Sequence, residues 1–262
     1  QDGNVLDICA TAAHEAGQPL PDAPRERMLQ ALGAFVEGRV VRNAWSPASA
    51  RGLDLDVRKL AAIEALSRHG RASARQLQSI QIAPNLWPTA ALIDWLRILK
   101  RLDGIPQREQ RLQEATTLLR ARLTYAGTTL KFSNEDADFW WWQMDSADAN
   151  AARLILAVVD DAAWKDELPR LVQGALGRQH RAAWLTTTAN LWGVLALNRF
   201  AARFESQPVT GRSVATLGAA SATHDWAAAR KGGRLMLPWP ALAGPPAGSL
   251  SVTQQGSGRP WL

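Results

Sequence analysis

Between Glu135 and Asp145 the chain places four carboxylates, Glu135, Asp136, Asp138 and Asp145, around the consecutive indoles of Trp140, Trp141 and Trp142. Two carboxylates about 5–10 Å apart can serve as acid and base in glycoside cleavage, and indole faces give a sugar a floor to stack on. On that chemistry Glu135, Asp136 or Asp138 would stand in a deep pocket opposite a second carboxylate. The same residues have a plainer use. Indole is a large apolar filler, and acids near helix N-termini are stabilised by the helix dipole. The expected role is therefore structural: tryptophans plugging a gap between helical hairpins, acids in water at a helix entrance.

The remaining reactive types are sparse. Cys9 is the only cysteine and follows Leu6 and Ile8, where a small apolar residue would serve equally, so it is expected to pack in the core. His14, His69, His180 and His224 lie far apart, and none has a metal-ligand spacing such as His-x-x-x-His. The chain has neither a Gly-x-x-x-x-Gly-Lys-Ser/Thr phosphate loop nor a Gly-x-Ser-x-Gly elbow. No catalytic, cofactor-binding or metal-binding residue is expected.

Composition narrows the class. With 262 residues, 47% of them hydrophobic, the chain is long enough to hold a core without disulfides or structural metal. The net charge of +6 is mostly arginine spread along the chain. A nucleic-acid binder would show a basic block interleaved with aromatics, so no nucleic-acid partner is expected. The longest apolar runs, Leu154 to Val159 and Leu191 to Leu197, fall far short of the roughly 20 residues of a membrane helix. Gln1-Asp2-Gly3-Asn4 lacks both an initiator methionine and the pattern of a signal peptide, the expectation for a piece cut from a longer chain.

Apolar periodicity predicts helices near 4–16, 24–37, 54–69, 73–82, 88–103, 107–124, 147–160, 164–178 and 187–205. Gly17, Gly38, Gly70 and Gly104 stand where helices stop, and Ser73 and Asp148 where N-caps are favoured. The helices are of two kinds. Leu168, Leu171, Val172, Ala175 and Leu176 form one buried face against Lys165, Asp166, Arg170 and Arg178, and 107–124 is similar. Ala151 to Val159 and Leu191 to Leu197 are instead apolar nearly all round and must be buried on most sides. Enclosed helices alternating with amphipathic ones describe a two-layer ring or solenoid. A weak repeat agrees, since Asp148-Ala149-Asn150-Ala151 recurs forty residues later as Thr188-Ala189-Asn190-Leu191. After Pro208 the pattern shifts to short β-type runs at Arg212 to Leu217, Arg234 to Trp239 and Ser249 to Gln255.

Thr128-Thr129-Leu130-Lys131-Phe132-Ser133, Trp140-Trp141-Trp142-Gln143-Met144, Asn150-Ala151-Ala152-Arg153-Leu154, Leu168-Pro169-Arg170-Leu171-Val172, Trp184-Leu185-Thr186-Thr187-Thr188-Ala189-Asn190-Leu191-Trp192-Gly193-Val194 and Pro208-Val209-Thr210-Gly211 together resemble the bacterial alpha-2-macroglobulin family. Members are large periplasmic proteins that entrap proteases. The resemblance implies a mainly α chain: residues 1–207 as the later part of a thioester-type α/α toroid, and 208–262 as part of a CUB-type β domain. It also implies a non-enzymatic segment without cofactors, whose full-length protein traps proteases in the periplasm or cell envelope. The family's Cys-x-Glu-Gln thioester motif is absent: Cys9 is followed by Ala10-Thr11-Ala12, and Gln107-Arg108-Glu109-Gln110 has no cysteine. A closed ring of hairpins needs about twelve helices, and the periodicity supplies about nine, which would leave the first hairpins outside this chain.

Overall fold

The run from Thr89 to Leu99 has apolar residues on every side, and a helix so written must be enclosed. The computed structural model describes residues 2–18, 20–40, 51–138, 140–230, 232–239, 248–258 and 260. They belong to two compact units, Gln1–Arg199 and Phe200–Leu262. The chain is mainly α, with helices α1 (Asp2–Glu15), α2 (Asp22–Val36), α3 (Arg51–Arg68), α4 (Thr89–Arg101), α5 (Arg108–Ala121), α6 (Ala147–Val158), α7 (Leu168–Leu176) and α8 (Thr187–Phe204).

Within the first unit α4 is the axis. Every residue from Thr89 to Leu99 is buried, with α3, α5 and α6 packed around it. Helix α3 also meets α1 and α2, and α6 meets α7. As expected, α6 is enclosed, with Ala151, Ala152, Leu154, Ile155 and Val158 buried. Helix α7 is two-faced: Leu168, Leu171, Val172 and Ala175 are buried while Arg170 is exposed.

Several sequence expectations are corrected. The segment 73–82 forms a 3-10 turn at Ala74–Ser79, where Ser73 and Gln76 make a capping box. The helix expected over 107–124 stops at Ala121, and Leu123–Ala126 (β1) pairs antiparallel with Thr129–Phe132 (β2) around Gly127. Tyr125 and Thr124 favour the extended backbone, and Gly127 supplies the positive φ of the turn. Ser146, not Asp148, caps α6, its hydroxyl accepting from the Ala149 amide at 3.2 Å.

Helix α8 departs furthest from its expected burial. Only Trp192, Gly193 and Ala196 of Leu191 to Leu197 are buried, while Leu191 is 37% and Val194 53% exposed. The cause is its neighbourhood: α8 shares no extensive contact with another described element. Trp184 packs closely on α8: its ring lies against the bare face of Gly193, and its indole donates to the Ala175 carbonyl of α7 at 2.9 Å.

The second unit holds a three-stranded antiparallel sheet in the order β4-β3-β5, from Arg212–Leu217 (β3), Ala220–Asp225 (β4) and Leu250–Gln255 (β5). The strand expected at Arg234 to Trp239 does not form, and Ala220–Asp225 takes its place beside β3. The turn at Gly218, with φ 59°, lets the chain double back at once, so the nearest segment captures that edge. The Gly244 to Ala247 stretch and Trp261-Leu262 lie outside the described residues.

Candidate functional site

The acidic and tryptophan-rich run does not assemble the pocket that glycoside chemistry needs. Arg178 Nη1 donates to both carboxylate oxygens of Glu135, at 2.7 and 2.8 Å, and Nε of the same guanidinium binds Asp148. Asp136 is exposed to solvent. Asp138 is buried and accepts the Thr89 amide at 2.8 Å, capping α4 from 49 residues away. The cap is needed because Pro88, in the N-cap position, carries no side-chain acceptor. Trp142 and Gln143 each donate to Asp54 Oδ1 at 2.9 Å, and Arg58 donates to both oxygens of the same carboxylate. Burial pushes the Asp54 carboxyl up, and these donors outweigh it, holding the group below the usual range. The run is therefore a clasp on α3 and α4. Trp141 is 58% exposed, and Phe139 lies outside the described residues.

Cys9 is exposed rather than in the core. Asp7, Ala10 and Thr11, spaced i, i+3, i+4, take the buried face of α1, and Cys9 falls on the other side. His14 and His69, distant in sequence, meet edge to face with ring centroids 5.6 Å apart. Among the described residues no three of His, Cys, Asp and Glu are grouped to hold a metal ion.

A different constellation occupies the centre of the helical unit. Asp94 and Arg97 interrupt the apolar run of α4, and Arg153 that of α6, yet all three are buried or nearly so. Arg153 donates to Asp94 at 2.6 Å and to Asp145 at 3.2 Å, joining α4, α6 and the Trp-run segment. Beside it, Glu64 of α3 accepts from Arg68 at 2.6 Å and from Arg101 at 2.8 Å, and Arg68 also binds Glu15 of α1. Burial works against the charge on Glu64, but Arg68, Arg97 and Arg101 prevail and hold it well below the carboxylate range. Asp145 is driven the other way: burial raises it to about 7, against Arg153 and with help from Asp94. Burial also pushes Asp7 well above its ordinary value, Asp94 adding to the effect, and brings Arg97 down to about 10.

These groups surround a small cavity lined by Asp7, Glu64, Asp94, Asp145, Arg153 and Trp192, with about 40 Å3 for water-sized groups. That is room for about three water-sized groups and far below the about 300 Å3 at which drug-sized ligand sites begin. The carboxylates could hold a proton or a compact cation. No nucleophile with an adjacent base accompanies them. Sequence reasoning passed over this centre, though charges inside otherwise apolar helices were its visible mark.

The fold is thus a helical unit packed about one enclosed helix and a second unit holding an antiparallel sheet. No protein-family model matches the chain, and a search of curated proteins finds no match. Among solved structures the chain is similar to Escherichia coli alpha-2-macroglobulin in its native conformation, with TM-score 0.53 and 16% identity over 86% of this chain and 13% of that one. The E. coli protein activated by porcine elastase aligns over 95% of this chain and 19% of that one, with TM-score 0.52 and 17% identity. The trypsin-activated crystal structure aligns over 96% and 14%, with TM-score 0.53 and 14% identity. The chain thus spans less than a fifth of the length of the solved chains it matches.

Proposed function

We propose that this chain is a non-enzymatic part of a bacterial alpha-2-macroglobulin-like protein that inhibits proteases by entrapping them. The observation that carries the reading is the likeness of fold, over 86–96% of the chain, to E. coli alpha-2-macroglobulin. On this reading residues 1–207 are the later part of a thioester-type α/α toroid, and 208–262 belong to a CUB-type β domain. The enclosed α4 and α6 beside the two-faced α7 support two layers. The uncovered Leu191 and Val194 support a ring to which further hairpins are added. The partners are proteases trapped by the full-length protein, in the periplasm or cell envelope. Among the described residues no helix is long and apolar enough to cross a membrane.

The glycosidase or lyase reading is not favoured, because Glu135 is ion-paired, Asp136 faces water and Asp138 caps a helix. The test uses the longer polypeptide that contains this chain. Mixed with a protease, it should suppress cleavage of a large protein substrate while a short peptide substrate is still cut. The 262-residue chain alone should give neither inhibition nor an adduct that survives denaturation. Undiminished cleavage of the large substrate, or hydrolysis by this chain alone, would refute the reading.

A further inference from the structure

One carboxylate of the central cavity has no cation paired with it. Five carboxylates stand in its network, those of Asp7, Glu15, Glu64, Asp94 and Asp145, against the guanidiniums of Arg68, Arg97, Arg101 and Arg153. Glu15 and Glu64 are covered by Arg68, Arg97 and Arg101, whereas Asp94 and Asp145 share Arg153. Asp7 is the remainder. It is 7% exposed, it lines the cavity, and its Oδ1 is buried without a hydrogen-bond partner. A buried acceptor left without a hydrogen bond is costly, the more so when charged, so a donor at this position is strongly favoured.

Size and lining define that donor. Metal ions need short, convergent bonds, and no three acidic, His or Cys side chains among the described residues are close enough to supply them. An ammonium head carries three donors and reaches acceptors by longer hydrogen bonds. Val57, Ala61 and Trp192 add apolar surface to the cavity lining, suited to an alkyl stem and to a cation beside an indole. We propose that this cavity binds a primary alkylammonium group, its nitrogen against Asp7 Oδ1 and its stem along Val57, Ala61 and Trp192. The group could be carried by a free small amine or by the lysine side chain of a polypeptide; the recognising chemistry is the same.

The test is thermal unfolding of the whole chain at pH 8 and constant ionic strength. Ethylammonium chloride at ten times its Kd should raise the midpoint by about 3–6 °C, saturably, while tetramethylammonium and sodium chloride should not. In Asp7→Asn that response should vanish, although the variant without amine should be at least as stable as the parent. A lysine-containing peptide that stabilises where its acetyl-lysine counterpart does not would assign the group to a polypeptide. Response to ethylammonium but not to the peptide would assign it to a free amine. Equal responses to ethylammonium and tetramethylammonium in the parent would overturn the proposal whether or not the variant folds. So would an Asp7→Asn chain that still responds, or a parent that answers to no amine, which would leave a proton as sole occupant.

Discussion

Arg153 holds two carboxylates from different parts of the chain, and removing it should expose how much of the helical unit depends on one side chain. In Arg153→Met the buried Asp94 and Asp145 lose their common partner, and breaking such a pair costs about 3–5 kcal/mol. Urea unfolding at pH 8 should show a loss of about 3 kcal/mol, shrinking at pH 5 where the orphaned acids take up protons. A loss below about 1 kcal/mol would mean that the pair contributes little. Asp145 gives a second, signed expectation. Its carboxyl titrates at about 7 in the fold and at about 3.9 in an unfolded chain, so between those values the folded state holds a proton that the unfolded state has released. Stability must then fall as pH rises through that window, by up to about 1.4 kcal/mol per unit. The groups facing it, Asp7 on α1, Asp94 on α4 and Arg153 on α6, set the size of the effect. Glu64 and Asp54, held low, lose their contribution only as pH falls through their depressed folded values, outside this range. His14 and His69, held below the usual imidazole range by burial, act with the opposite sign in this window, so the comparison is between parent and variant: from pH 5 to pH 7 the Asp145→Asn chain should lose about 2 kcal/mol less stability than the parent. An equal difference in both would assign the slope to other groups.

At the scale of elements, close approach decides what substitution does. Gly174 sits inside α7, where exchange for alanine ordinarily gains about 0.5–1 kcal/mol. Here an added Cβ would overlap the carbonyl oxygen of Leu130 in β2, a backbone atom with nowhere to go. Gly174→Ala should lower stability by about 1–3 kcal/mol in denaturant unfolding, and a gain would show that the α7–β2 contact can open freely. The same contact explains what was legible in the sequence. Helices α4, α6 and α7 declared themselves because their apolar residues face neighbours within the unit. The helix expected over 107–124 ran on into β1 because Leu119 and Leu123 keep helical spacing, while the strand pairing depends on Gly127 and on packing against α7. Arg153 stood in a run read as apolar nearly all round, and Asp94 and Arg97 in the helix expected over 88–103. Their meaning emerged only when α1, α3, α4 and α6 brought together partners 33 to 82 residues apart.

For the whole molecule, the β-type runs expected at Arg212 to Leu217 and Ser249 to Gln255 do form strands of the second unit, although the β1–β2 hairpin shows that such runs also occur inside the helical one. The uncovered face of α8 was not readable, because periodicity reports how apolar a helix is and not whether anything stands beside it. The cap on α4 has a further consequence. Since Asp138 closes the helix start from beyond α5 and the hairpin, the most deeply enclosed helix cannot finish its first turn from local sequence. That turn waits on a long loop closure, a slow, entropy-limited event. The chain must therefore have been made through residue 138 before its central helix can be completed, which places the locking of this half late in folding, however early the rest of the helix winds.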